Sequence, residues 1–64
     1  MPVIHIQMME GRSEEKVKRL IADVTETVSS ALDITPERVR VLVSEFPKSR
    51  WGIGGVQASE LEQQ

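Results

Sequence analysis

One stripe of apolar side chains constrains this chain more than any other feature. Val17, Leu20, Ile21, Val24, Val28, Ala31 and Leu32 recur at separations of three, one and four residues. That spacing marks one face of an α-helix sustained over about four turns. Ser13 precedes the stripe as an N-cap, and Glu14 and Glu15 place negative charge on the positive end of the helix dipole. A strict capping box is absent, because the third residue after Ser13 is Lys16. Lys16, Arg19, Asp23, Glu26 and Ser30 fall off the stripe. Glu15 with Arg19, and Arg19 with Asp23, stand four apart and support the helix at its solvated face.

Short alternating segments flank this helix. Over residues 3–9, Ile4, Ile6 and Met8 share one face, and Val3, His5, Gln7 and Met9 share the other. Glu10-Gly11-Arg12 breaks that strand, since Gly11 permits a turn that other residues resist. Beyond the helix, Asp33-Ile34-Thr35-Pro36-Glu37 ends it and starts a single turn, with Thr35 as N-cap and Pro36 at the first helical position. A second strand spans Val39 to Phe46, with Val39, Val41 and Val43 pointing one way and Arg40, Leu42 and Ser44 the other. Strand, long helix and strand make a β-α-β unit with parallel strands and a right-handed crossover. Pro47 ends the second strand, and Lys48-Ser49-Arg50 is a polar turn. Trp51-Gly52-Ile53-Gly54-Gly55-Val56 suits a small hairpin, or an arm reaching onto a neighbour. Only faintly does it resemble a phosphate-cradling loop, because no lysine-serine pair or strand-to-helix turn surrounds it. Residues 57–64 are polar and read as frayed or edge-pairing. The fold class expected is α+β, with residues 1–64 forming one domain.

A chain of 64 residues buries only about 60% of its unfolded surface and is marginal without help. Disulfides and thiolate metal sites are excluded because there is no cysteine, which suits a reducing cytoplasm. The one histidine, His5, cannot build a histidine-rich metal site. Oligomerisation is left as the stabilising device. Two strands and one helix leave one sheet face open, so edge-to-edge pairing of two copies still needs another layer. An assembly larger than a dimer is expected. The net charge of −2 gives no electrostatic footprint for nucleic acid. Uncharged runs are far too short for a membrane span, and the start of the chain does not read as a signal peptide.

Several residues have chemical potential. A small residue after the initiator methionine favours removal of Met1, which would make Pro2 a terminal secondary amine at the end of a sheet. Such an amine titrates near pH ~8. Burial or a nearby cation lowers that value and makes it a competent general base. The plainer reading is that Pro2 only directs processing ahead of an exposed end. Arg12, a cation just before a helix N-terminus, is either solvated or paired with Glu10, Glu14 or Glu15, or else an anion-binding guanidinium at a pocket mouth. His5 reads as a structural or interface histidine. Trp51 is an interface anchor or a pocket wall.

Taken together, Pro2, Glu10-Gly11-Arg12-Ser13, Val39-Arg40-Val41 and Trp51-Gly52-Ile53-Gly54-Gly55 resemble the small-subunit 4-oxalocrotonate tautomerase family of the tautomerase superfamily. The likeness spans almost the whole chain. It implies a β-α-β subunit assembled into dimers and usually a hexamer, a trimer of dimers. It also implies an enzyme needing no metal or organic cofactor, which moves a proton between the enol and keto forms of a 2-hydroxydienoate or related 2-oxo acid. By the resemblance, Pro2 is the catalytic base and Arg12 binds a substrate carboxylate. Arg40, typically reaching in from a neighbouring subunit, polarises the 2-oxo group and its neighbouring carboxylate. Trp51 takes the place of an aromatic, often phenylalanine, that lines the pocket and keeps the proline dry.

Two departures bear on the substrate. Trp51 is bulkier than phenylalanine. Arg38 stands where a small or neutral side chain is common, two residues before Arg40 and on the same strand face; it is counted with the substrate-binding residues. Two other classes stay open. A proline-dependent dehalogenase or hydratase of the same superfamily needs a carboxylate to activate water, for which Glu10 and Glu45 are candidates. A non-enzymatic oligomeric module would use the β-α-β unit for packing alone.

Overall fold

The computed structural model describes residues 1–61. Strand β1 (Val3–Met9), helix α1 (Glu14–Leu32) and strand β2 (Arg40–Phe46) follow in order, with a 3-10 turn at Pro36–Arg38 leading into β2. A second 3-10 turn at Lys48–Arg50 precedes strands β3 (Gly52–Ile53) and β4 (Val56–Gln57) and helix α2 (Ala58–Leu61). Strands β1 and β2 run parallel, in register from Val3 opposite Arg40 to Met9 opposite Phe46. The expected α+β architecture and parallel β-α-β unit are those observed.

Local chemistry sets the element ends. The Ser13 hydroxyl accepts from the Lys16 N–H at 3.3 Å and caps α1. Asp33 closes the helix in the left-handed region at φ 58°, a conformation that short polar residues tolerate. Its N–H donates to the Ser29 carbonyl, as does that of Ile34 at 3.0 Å. Arg19 pairs with Asp23 at 3.4 Å. Gly11 takes φ 128° where the chain leaves β1. Strand β2 starts at Arg40 rather than Val39, because the Val39 N–H closes the preceding turn on the Pro36 carbonyl at 3.0 Å.

The helix covers one face of the two-stranded sheet. Ile4, Ile6 and Met8 of β1, Val41 and Val43 of β2, and Val17, Leu20, Val24 and Val28 of α1 are all half-buried. The end of the stripe is not covered: Ala31 is exposed and Leu32 is 55% exposed. A 19-residue helix runs about 28 Å, whereas a seven-residue strand runs about 23 Å. The helix therefore outreaches the strands it packs on. On the opposite face Val3 and Leu42 are 60% and 53% exposed. His5 Nε2 and Ser44 Oγ share a hydrogen bond of 2.7 Å across the two strands there.

The C-terminal segment departs in part from the fraying or edge pairing expected of it. Gln57 pairs with Gly52 in the β3–β4 hairpin, but Ala58–Leu61 is helical. The Ala58 N–H donates to the Trp51 carbonyl at 2.7 Å, and its small side chain is 3% exposed. That bond folds the segment back on the turn. The rest of the expected fraying, over residues 62–64, lies outside the described residues.

Only Val39 and Ala58 are buried among the described hydrophobic residues. A compact 7.2 kDa monomer exposes about 4,100 Å², whereas this chain exposes 5108 Å². Its radius of gyration is 14.9 Å, against about 11 Å for a compact chain of this length. The fold is thus a flat platform with an arm, and its apolar surface calls for partners.

Candidate active site

The parallel ladder brings two of the expected site residues together. The Arg40 N–H donates to the Pro2 carbonyl at 3.1 Å, so both residues lie at the end of the sheet where β1 and β2 begin. The Arg40 guanidinium donates to the Glu37 carbonyl at 2.7 Å, which holds it against the 3-10 turn. Pro2 is half-buried and Met1 is 79% exposed.

Arg38 belongs to this same end, but not to the strand face expected for it. It is the last residue of the Pro36–Arg38 turn, because Pro36 starts a helical turn that still includes Arg38. It lines a shallow groove of about 400 Å³ with Asp33, Ile34 and Thr35.

Arg12 and Trp51 lie at the other end. Arg12 follows the end of β1, where its guanidinium donates to the Met9 carbonyl at 3.3 Å. Among the described residues it makes no ion pair with Glu10, Glu14 or Glu15, and it is exposed, so pairing finds no contact while solvation stays open. Trp51 packs on Phe46 with ring centroids 6.3 Å apart, and Phe46 is the β2 partner of Met9. Phe46 was not singled out from the sequence. The signal available was that the chain's two aromatics bracket a Pro47-led turn, which folds one onto the other.

The expected site residues therefore fall into two groups. Pro2, Arg38 and Arg40 occupy one end of the sheet; Arg12 and Trp51 occupy the other. A seven-residue strand separates them by about 23 Å, too far for one small acid to touch both. The two candidate water-activating carboxylates are also distant from Pro2 in the same chain. Glu45 pairs with Met8 near the far end, and Glu10 continues the ladder by donating its N–H to the Phe46 carbonyl at 2.9 Å.

The family model described as tautomerase enzyme matches residues 2–60. The chain belongs to the tautomerase family. It is 48% identical over 61 residues to a 2-hydroxymuconate tautomerase of Pseudomonas putida, covering 95% of this chain and 97% of that protein. A crystal structure of a 4-oxalocrotonate tautomerase homologue from the tomaymycin biosynthetic pathway superposes with a TM-score of 0.94 at 35% identity, covering 98% of this chain and 97% of that one. A heterohexamer 4-oxalocrotonate tautomerase from Chloroflexus aurantiacus superposes with a TM-score of 0.90 at 33% identity, covering 95% and 98%. This tautomerase is thus an isomerase that interconverts keto and enol forms. Among the described residues, no helix is long and apolar enough to cross a membrane.

Proposed function

We propose that this tautomerase ketonises 2-hydroxymuconate or a closely related 2-hydroxydienoate, with the free amine of Pro2 as the base once Met1 is removed. The observation that carries this reading is the Arg40 N–H bond to the Pro2 carbonyl, which sets both residues at one end of the sheet, where in the assembly the Arg40 of a neighbouring copy reaches the candidate base. The likeness to the Pseudomonas putida enzyme supports the substrate class.

The chemistry follows from the groups. The amine accepts the 2-hydroxyl proton, and the O–H electron pair becomes the carbonyl π bond. The conjugated double bonds shift along the chain, and a distal carbon takes the proton back from the pyrrolidinium. Charge builds on the 2-oxygen during this transfer, and a fixed cation there lowers the barrier. Arg40 fills that role. Arg12 holds the distant carboxylate, and a guanidinium does so in a bidentate fork. Trp51 keeps water from the amine, and the nearby cations favour its neutral form.

Two copies related by a two-fold axis and paired edge to edge run antiparallel. Such pairing sets the Pro2 end of one chain beside the Arg12 and Trp51 end of the other. The complete site is then shared between copies, in keeping with a hexamer built as a trimer of dimers. The exposed Val3 and Leu42 face gives the dimers an apolar surface to stack on.

Absorbance of 2-hydroxymuconate tests the reading. Wild type is expected to ketonise it, and Pro2→Ala and Arg40→Ala each to lose roughly 10²-fold or more in kcat. Equal rates for all three proteins would refute it. Mass spectrometry of the purified native protein should show Met1 removed; full retention would leave the Pro2 nitrogen an amide with no basic lone pair.

A further inference from the structure

We propose that Arg38 selects substrates with a third carboxylate, carried on a branch near the oxo-acid end of the dienoate. This deepens the proposed function and rests on its assignment of Pro2, Arg12 and Arg40.

Every other arginine among the described residues is engaged. Arg12 donates to the Met9 carbonyl, Arg19 pairs with Asp23, Arg40 donates to the Glu37 carbonyl and Arg50 donates to Ser49 Oγ. The Arg38 guanidinium has no hydrogen-bond or ion-pair partner among the described residues. Its backbone, by contrast, is held firmly. The Arg38 N–H donates to the Thr35 carbonyl at 3.1 Å, and the Val39 N–H to the Pro36 carbonyl at 3.0 Å. Val39, only 8% exposed, anchors the turn, and the next residue is the Arg40 that bonds to Pro2. A free cation is thus carried on a fixed turn two residues from the candidate base's own contact.

Charge counting gives that cation its task. A linear 2-hydroxydienedioate has two carboxylates, which Arg40 and Arg12 take. Nothing on such a substrate answers Arg38, which stands two residues before Arg40. A further carboxylate there gains a charge-assisted hydrogen bond. Asp33 lines the same groove without pairing to Arg38, and its negative charge opposes an anion deep in the groove. The added carboxylate therefore sits on the Arg40 side of Arg38. Arg38 touches no reacting atom in this assignment. It sets specificity through affinity, not through the chemical step.

A matched pair of unreactive acids isolates the effect. Adipate and butane-1,2,4-tricarboxylate share a six-carbon diacid backbone and differ by one carboxylate. Calorimetric titration of the assembled protein should show the triacid binding more tightly than the diacid. In Arg38→Gln, triacid affinity should fall by about tenfold or more, the worth of one charge-assisted hydrogen bond. Diacid affinity should fall by only about twofold, from the lost long-range charge. Arg38→Lys should restore part of the preference. No triacid preference in wild type, or an equal loss for both acids in Arg38→Gln, would overturn the proposal. If wild type binds the triacid through Arg38 yet turns over no 2-hydroxydienoate, the specificity assignment stands and the tautomerase substrate reading falls.

Discussion

At the scale of single residues, the candidate site depends on where two strand ends put a few polar groups. Pro2 and Arg40 are neighbours because parallel pairing sets Val3 opposite Arg40, not because they are close in sequence. The loss of activity expected for Pro2→Ala and Arg40→Ala should therefore come without loss of fold, measured as unchanged far-ultraviolet circular dichroism. Ser13 is the converse case. Its hydroxyl satisfies a helix-end N–H, so Ser13→Ala should lower stability by about 1 kcal/mol per chain in urea unfolding, with little change in KM. A Ser13→Ala protein as stable as wild type would show that α1 does not depend on this cap.

At the scale of elements, much was legible in the residues. The α1 stripe, the Ser13 cap, the Gly11 break and the alternation of residues 3–9 each express a local rule, and each element forms where its rule places it. Legibility ended where an outcome depended on competition between neighbours. Val39 reads as strand, but its N–H is drawn into the turn that Pro36 starts, and that turn takes Arg38 off the strand face. Ala58–Leu61 reads as a polar tail, but one bond to the Trp51 carbonyl organises it. The separation of Arg12 and Trp51 from Pro2 was likewise invisible in the list of motifs, because it follows from the direction of the strands. The hairpin offers a test at this scale. Gly54 and Gly55 hold φ 60° and 86°, the left-handed pair that a two-residue turn requires. Gly54→Val should destabilise the hairpin by about 1–2 kcal/mol and loosen Trp51, read as a red shift in its fluorescence. An unshifted spectrum would mean that the turn does not position the ring.

For the whole molecule, the controlling fact is how little one chain buries. Two buried hydrophobic residues among those described do not make a core, and a surface about 1,000 Å² larger than a compact monomer's is close to one partner's share of a standard interface. Stability should therefore be inseparable from association, with a melting temperature that rises with protein concentration. Leu42→Asp, on the open sheet face, should break the assembly into smaller species in sedimentation velocity and abolish activity. A full-size assembly in that variant would exclude the Leu42 face from the interface.

The proposed shared site follows from the same geometry, because one chain holds Pro2 and Arg12 at opposite ends of its sheet. Subunit mixing measures this directly. Pro2→Ala and Arg12→Ala proteins, each expected to be inactive alone, are unfolded together in equal amounts and refolded. If each site takes its Pro2 from one chain and its Arg12 from another, random assembly makes about one site in four intact, and the mixture should recover about a quarter of wild-type activity. A mixture as inactive as its parents, with assembly confirmed by size, would contradict a site built between copies.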